Sequence, residues 1–95
     1  MKHLSITVKG KVQGVYFRAS AKDVAVSLGL KGFVENQKDG SVYIEAEGLT
    51  EKLYQLVEWC KKGPARAIVD KVHILEGELK DFKTFEVRKK TIFGF

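Results

Sequence analysis

The spacing of apolar side chains in this 95-residue chain switches repeatedly between two residues and about 3.6. Leu4, Ile6 and Val8 alternate with His3, Ser5, Thr7 and Lys9, the pattern of a strand buried on one face, and Gly10 ends it. After a loop from Lys11 to Phe17 the period lengthens. Phe17, Ala21, Val24, Ala25 and Leu28 form one helical stripe, with Gly29 as its stop. Alternation returns from Lys31 to Asn36. Lys38-Asp39-Gly40-Ser41 reads as a hairpin turn, because Asp-Gly accommodates the positive φ that a tight turn needs. In the third strand Val42, Ile44 and Ala46 face inward, Tyr43, Glu45 and Glu47 outward, and Gly48 closes it.

Thr50 can cap a second helix, whose stripe is Leu53, Leu56, Val57 and Cys60. Lys61 and Lys62 suit its negative end, and Gly63-Pro64 stops it. Ala67 to Glu76 reads as a fourth strand with Val72 and Ile74 as its core pair. A polar loop from Glu78 to Lys83 leads to a short last strand, Thr84 to Arg88, with Phe85 and Val87 inward. Lys89 to Phe95 has no clear period. Each strand buries one face, so both helices must cover the same side of an antiparallel sheet. The expected fold is therefore α+β: a ferredoxin-like βαββαβ sandwich with a short extra C-terminal strand.

Composition narrows the class. The length allows one domain, 1–95. A single cysteine, Cys60, excludes an intramolecular disulfide, and no apolar run approaches the ~20 residues needed to span a bilayer. No apolar leader follows Met1, so the expected setting is the reduced cytoplasm, and the expected state is a monomer. The net charge of +5 favours anionic partners without choosing among them.

One segment carries chemistry: Gly10-Lys11-Val12-Gln13-Gly14-Val15-Tyr16-Phe17-Arg18 joins a strand to a helix N-terminus. The first amides of a helix have no internal partner, and the helix dipole adds positive potential there. Glycines at 10 and 14 let the backbone curl into a concave nest of N–H donors, and Arg18 offers a planar, permanently charged fork. Together these suit a tetrahedral oxyanion. On spacing alone, the same residues serve equally well as a tight turn followed by a solvated arginine.

The motif Val8-x-Gly10-x-Val12-Gln13-Gly14-Val15-x-Phe17-Arg18 resembles the first signature of the acylphosphatases. Gly32-Phe33-Val34-x-Asn36-x-x-x-Gly40-x-Val42, followed by Gly48, is similar to their second. Ala25-x-x-Leu28-Gly29-Leu30 and Trp59-x-x-x-Gly63-Pro64 resemble further family positions, so the likeness spans about residues 3–88. The resemblance implies hydrolysis of the carboxyl-phosphate bond of acyl phosphates, with inorganic phosphate as a product and neither metal nor cofactor. It implies that Arg18 and the loop amides of Gln13, Gly14, Val15, Tyr16 and Phe17 bind the phosphoryl group, while Asn36 positions the attacking water. Two departures stand out. Glu35 occupies a position that is usually basic or neutral, and Lys89 to Phe95 runs past the usual end of the family.

The chemistry agrees with that implication. No His, Asp, Glu or Cys lies between Gly10 and Arg18 to act as a general acid. A phosphate monoester expels an alkoxide and needs such help; an acyl phosphate expels a carboxylate, whose conjugate acid has a pKa of ~4. Other residues have plainer readings. Cys60 is a small core hydrophobe, and His3 and His73 are surface or edge residues without metal-ligand partners. Trp59 and Tyr54 pack at the margin of the second helix. Asn36 alone would pass for a strand-end residue before a turn. Gln13 either braces the loop or touches ligand, and Tyr16 either lines the pocket mouth or does not. The competing functions are a nucleic-acid-binding module, since Lys31-Gly32-Phe33-Val34 echoes part of a ribonucleoprotein motif, and a non-catalytic phosphate sensor. The first lacks the aromatic platforms that stack bases, so no nucleic-acid partner and no membrane partner is expected.

Overall fold

The computed structural model describes residues 1–89. Five strands and two helices alternate as β1 (Lys2–Lys11), α1 (Phe17–Ser27), β2 (Lys31–Asn36), β3 (Val42–Gly48), α2 (Thr50–Lys62), β4 (Ile68–Gly77) and β5 (Phe85–Arg88). The strands form one sheet in the order β4-β1-β3-β2-β5. Both helices pack on one face of it. Leu4, Ile6 and Val8 of β1 share a single buried cluster with Phe17, Ala21 and Ala25 of α1 and with Leu53, Leu56, Val57 and Cys60 of α2. This is the ferredoxin-like α+β sandwich that the periodicities imply. The Cys60 thiol is fully buried and its pKa is pushed up to about 12 by desolvation, as a core hydrophobe requires.

The sheet is mixed rather than wholly antiparallel. β1 runs antiparallel to both β3 and β4, and β2 antiparallel to β3, but β5 pairs with β2 in parallel. The reason is the route of the chain. β4 finishes at the end of the sheet where β2 begins, since Gly77 lies opposite His3, and residues 78–84 cross the open face there. The Gly32 amide then donates to the Thr84 carbonyl at 2.8 Å, and β5 sets off alongside β2 in the same direction. Parallel pairing carries Val87 and Arg88 to the end of the sheet where β1 and β2 finish.

Three local expectations change. Gly10 does not end β1; the strand continues to Lys11 through a register shift between Lys9 and Gly10. Gly10 has φ +133, and a Cβ there would stand 2.2 Å from the Ile68 carbonyl oxygen, so the close approach of β4 demands glycine. The N-cap of α2 is Leu49, with Thr50 the first helical residue, so the threonine hydroxyl makes no cap bond. Val72 and Ile74 are half-buried rather than core, because β4 is an edge strand at the margin of the helical cover. The expectations for the tail beyond Lys89 lie outside the described residues.

The largest difference concerns the face opposite the helices. His3, Glu45 and Glu47, expected at the surface, are 2%, 7% and 6% exposed. The 78–84 crossing covers them. His3 Nδ1 lies 2.6 Å from Glu47 Oε2 and its Nε2 3.3 Å from Glu45 Oε1. Glu47 also accepts from the backbone amides of Lys80 and Phe82, and Glu45 from the Lys80 ammonium and the Tyr43 hydroxyl. Phe82 stacks on His3 and meets Phe33 edge-on. The carboxylates thus hold the crossing down, an arrangement invisible to a period-two reading that sees a polar residue and assigns it to water.

Burial pushes the Glu45 and Glu47 carboxyls up, but the hydrogen bonds from Lys80, Tyr43, His3 and Phe82 outweigh it and leave both below the ordinary value of 4.5. A carboxyl whose pKa is depressed on folding adds stability above its unfolded pKa, and that stability is lost as pH falls through the folded value. The urea midpoint should therefore drop on acidification below about pH 4.5, and Glu47→Gln should flatten that drop. Parallel pH profiles for the variant and the parent protein would contradict this.

Candidate active site

The C-terminal ends of β1, β2 and β5 meet the start of α1. A cavity of about 390 Å³ opens there, lined by Val12, Gly14, Tyr16, Phe17, Arg18, Ala19, Asn36 and Val87. Arg18 and Asn36, eighteen residues apart in sequence, therefore share one pocket. Val12 and Val15 anchor the loop by burying their side chains, and Phe17 packs against Trp59 at a centroid distance of 5.1 Å. Between these anchors Gly14 has φ +75 and Tyr16 φ +63. Left-handed positions that alternate with ordinary ones in this way turn backbone amides toward a common centre. For tyrosine the left-handed conformation costs roughly 1–2 kcal/mol, a strain that glycine escapes.

The helix start is bare of competing anions. Tyr16 is the N-cap and makes no side-chain cap bond, and the first turn of α1 carries no acidic residue. The first intrahelical bond runs from the Ser20 amide to the Tyr16 carbonyl at 3.1 Å, so the amides of Phe17, Arg18 and Ala19 precede the helical ladder. Glu35, the acidic departure near the site, is absent from the cavity lining, and the Gln37 carboxamide binds its carboxylate at 2.9 Å.

Arg18 is half-buried, and its Nη1 donates to the Arg88 carbonyl at 3.2 Å. That bond occupies one of five guanidinium N–H groups and ties the side chain to β5. Arg88 is itself fixed, with its guanidinium carbon 3.7 Å from the centre of the Phe33 ring. The sequence gives no hint of this tether, because it depends on a backbone carbonyl delivered by the parallel strand.

Gln13 braces the loop. Its Nε2 donates to the Gln37 carbonyl at 2.8 Å and to the Ser41 carbonyl at 2.9 Å. Those carbonyls flank the β2–β3 turn, which the Asp39 carboxylate closes by accepting from the Ser41 amide and hydroxyl. The brace therefore fixes the loop relative to Asn36, the residue before Gln37. Asn36 Oδ1 is buried with no hydrogen-bond partner among the described residues. A buried carboxamide oxygen left unpaired costs on the order of 1–3 kcal/mol unless something in the pocket donates to it. Asn36 lines the same cavity as Arg18.

The arrangement sets a helix N-terminus and one guanidinium, which suit an oxyanion, beside a carboxamide. Among the described residues no cluster of three or more His, Cys, Asp or Glu side chains is placed to hold a metal ion, and no helix is long and apolar enough to cross a membrane. Phe33, the aromatic of the ribonucleoprotein-like fragment, is 6% exposed beneath Arg88 and Phe82, so it offers no stacking platform.

Known proteins resemble this chain in sequence and in fold. The acylphosphatase family model matches residues 4–87. An acylphosphatase of Marinobacter nauticus is 51% identical over 83 residues, covering 83% of this chain and 90% of the relative. The crystal structure of acylphosphatase from Bacillus subtilis superposes with a TM-score of 0.90 at 35% identity, covering 93% of this chain and 99% of that one. The structure of an acylphosphatase from Coxiella burnetii gives 0.89 at 39% identity, covering 92% of each chain.

Proposed function

This chain belongs to the acylphosphatase family and is an enzyme that hydrolyses acyl phosphates, and from that premise we propose how its residues divide the work. The loop amides from Gln13 to Phe17, with the amide and guanidinium of Arg18, hold the phosphoryl oxygens. The Asn36 carboxamide hydrogen-bonds a water and aims its oxygen at phosphorus. Asn36 and Arg18 line one cavity although they lie on different elements, and that is the observation that carries this reading.

The water oxygen forms a bond to phosphorus as the bond from phosphorus to the acyl oxygen breaks. The electron pair of that bond leaves with the carboxylate, and a water proton passes to a phosphoryl oxygen, giving inorganic phosphate. Charge on the three equatorial oxygens is stabilised by donors already in place before the reaction, so little reorganisation is needed. The carboxamide orients water but is no base at neutral pH. With a carboxylate as the leaving group, the reaction needs neither a general acid nor a metal. The proposed partners are small acyl phosphates, in a reduced cytoplasmic setting, with the protein acting as a monomer.

The test compares benzoyl phosphate with phenyl phosphate, whose phenolate leaving group is far more basic than a carboxylate, in the presence of a chelator. The expected result is rapid turnover of the first, unchanged by the chelator, and turnover of the second lower by about 10³-fold or more. That margin is the order expected when an activated leaving group replaces one that requires assistance. Equal use of both substrates would mean that a proton donor serves this pocket, and loss of activity in chelator would mean that a metal does.

A further inference from the structure

We infer that the Tyr16 ring forms the acyl side of the pocket and gives this enzyme a preference for acyl phosphates whose acyl group is aromatic. The inference rests on the phosphoryl group binding at the loop, as proposed above. Tyr16 combines three properties that packing does not explain. It holds a left-handed backbone conformation, φ +63, where a small residue would be unstrained. It is 77% exposed although it is large and aromatic. Among the described residues its hydroxyl has no hydrogen-bond partner and its ring no aromatic neighbour, whereas the adjacent Phe17 is fully packed against Trp59.

Tyr16 also lines the cavity that holds Arg18 and Asn36. A volume of about 390 Å³ exceeds what a phosphoryl group fills and leaves room for the rest of a small ligand. Beyond the phosphoryl donors, Val12, Ala19 and Val87 add walls without charge. A flat apolar acyl group leaving the cradle beside Tyr16 removes ring surface from water on both partners. An acetyl group is too small to cover the ring. The exposed phenol edge can stay in water, which accounts for a tyrosine at a pocket mouth.

The experiment measures kcat/KM for benzoyl phosphate and acetyl phosphate in the parent protein, Tyr16→Asn and Tyr16→Phe, and reads the ratio between the substrates. Asparagine tolerates the left-handed conformation, and any general disturbance of the loop cancels in the ratio. Tyr16→Asn is expected to lower the benzoyl-to-acetyl ratio about tenfold, equivalent to about 1.4 kcal/mol, through KM for benzoyl phosphate. Tyr16→Phe keeps the ring and is expected to keep the ratio. A fall of less than about threefold in Tyr16→Asn, or an equal fall in Tyr16→Phe, overturns the assignment. Failure of the underlying phosphoryl reading would appear elsewhere: Arg18→Ala would then leave inhibition by inorganic phosphate unchanged, a measurement in which no acyl group takes part.

Discussion

Arg18→Ala should lower kcat/KM for benzoyl phosphate by roughly 10³–10⁵-fold, the range reported by arginines that stabilise phosphoryl transfer elsewhere. The guanidinium supplies a full positive charge and several donors in a plane that matches two phosphoryl oxygens. Alanine removes both the charge and the geometry. The loop amides remain, but their partial charges cannot replace a cation facing a phosphoryl group. Arg18→Lys restores the charge without the fork, and it loses the Nη1 bond to the Arg88 carbonyl that holds the side chain at the site. Its activity should therefore recover only a small part of the loss. Arg18 is half-buried at the first turn of α1, outside the core cluster, so the fold should tolerate the change. Steady-state kinetics on benzoyl phosphate, with thermal unfolding as the check on folding, reads the result. An Arg18→Ala protein within about tenfold of the parent would show that the guanidinium is not the clamp.

Asn36→Ala should act differently. Loss of one preorganised polar group at a transition state costs about 10²–10³-fold in rate, and here the loss should fall on kcat. KM should change little, because the phosphoryl oxygens keep their amides and the guanidinium. The change also removes a buried oxygen that has no partner among the described residues, so it should not destabilise the protein through a lost internal bond. Asn36→Asp is informative beside it. A carboxylate keeps an acceptor for the water but places a negative charge near the phosphoryl group, so both kcat and phosphate affinity should fall. Near-normal kcat in Asn36→Ala would remove the water-positioning role.

Much of this site could be read in the sequence because its parts are local. The loop, its glycines and Arg18 are contiguous. Asn36 is placed by a strand whose period and following Asp-Gly turn are plain, but it becomes a candidate only through the resemblance to the acylphosphatase signature. What escaped depends on the path of the chain in space. Gln13 could brace or bind, and the choice is settled by two carbonyls that the β2–β3 turn brings to it. The direction of β5 depends on residues 78–84 crossing the sheet, and a polar six-residue loop gives no sign of where it goes. His3, Glu45 and Glu47 look like surface residues in any alternating pattern; they are buried because that crossing brings Lys80 and Phe82 over them. Periodicity identifies which face of a strand is apolar. It does not reveal that the polar face is covered as well.

In the proposed mechanism Arg18 and the loop hold the phosphoryl group, while Asn36 serves the attacking water. Calorimetric titration of inorganic phosphate into the parent protein, Arg18→Ala and Asn36→Ala separates the two roles without any turnover. Phosphate binding is expected to be lost in Arg18→Ala and to stay close to the parent value in Asn36→Ala. Binding retained in Arg18→Ala, or abolished in Asn36→Ala, would contradict it.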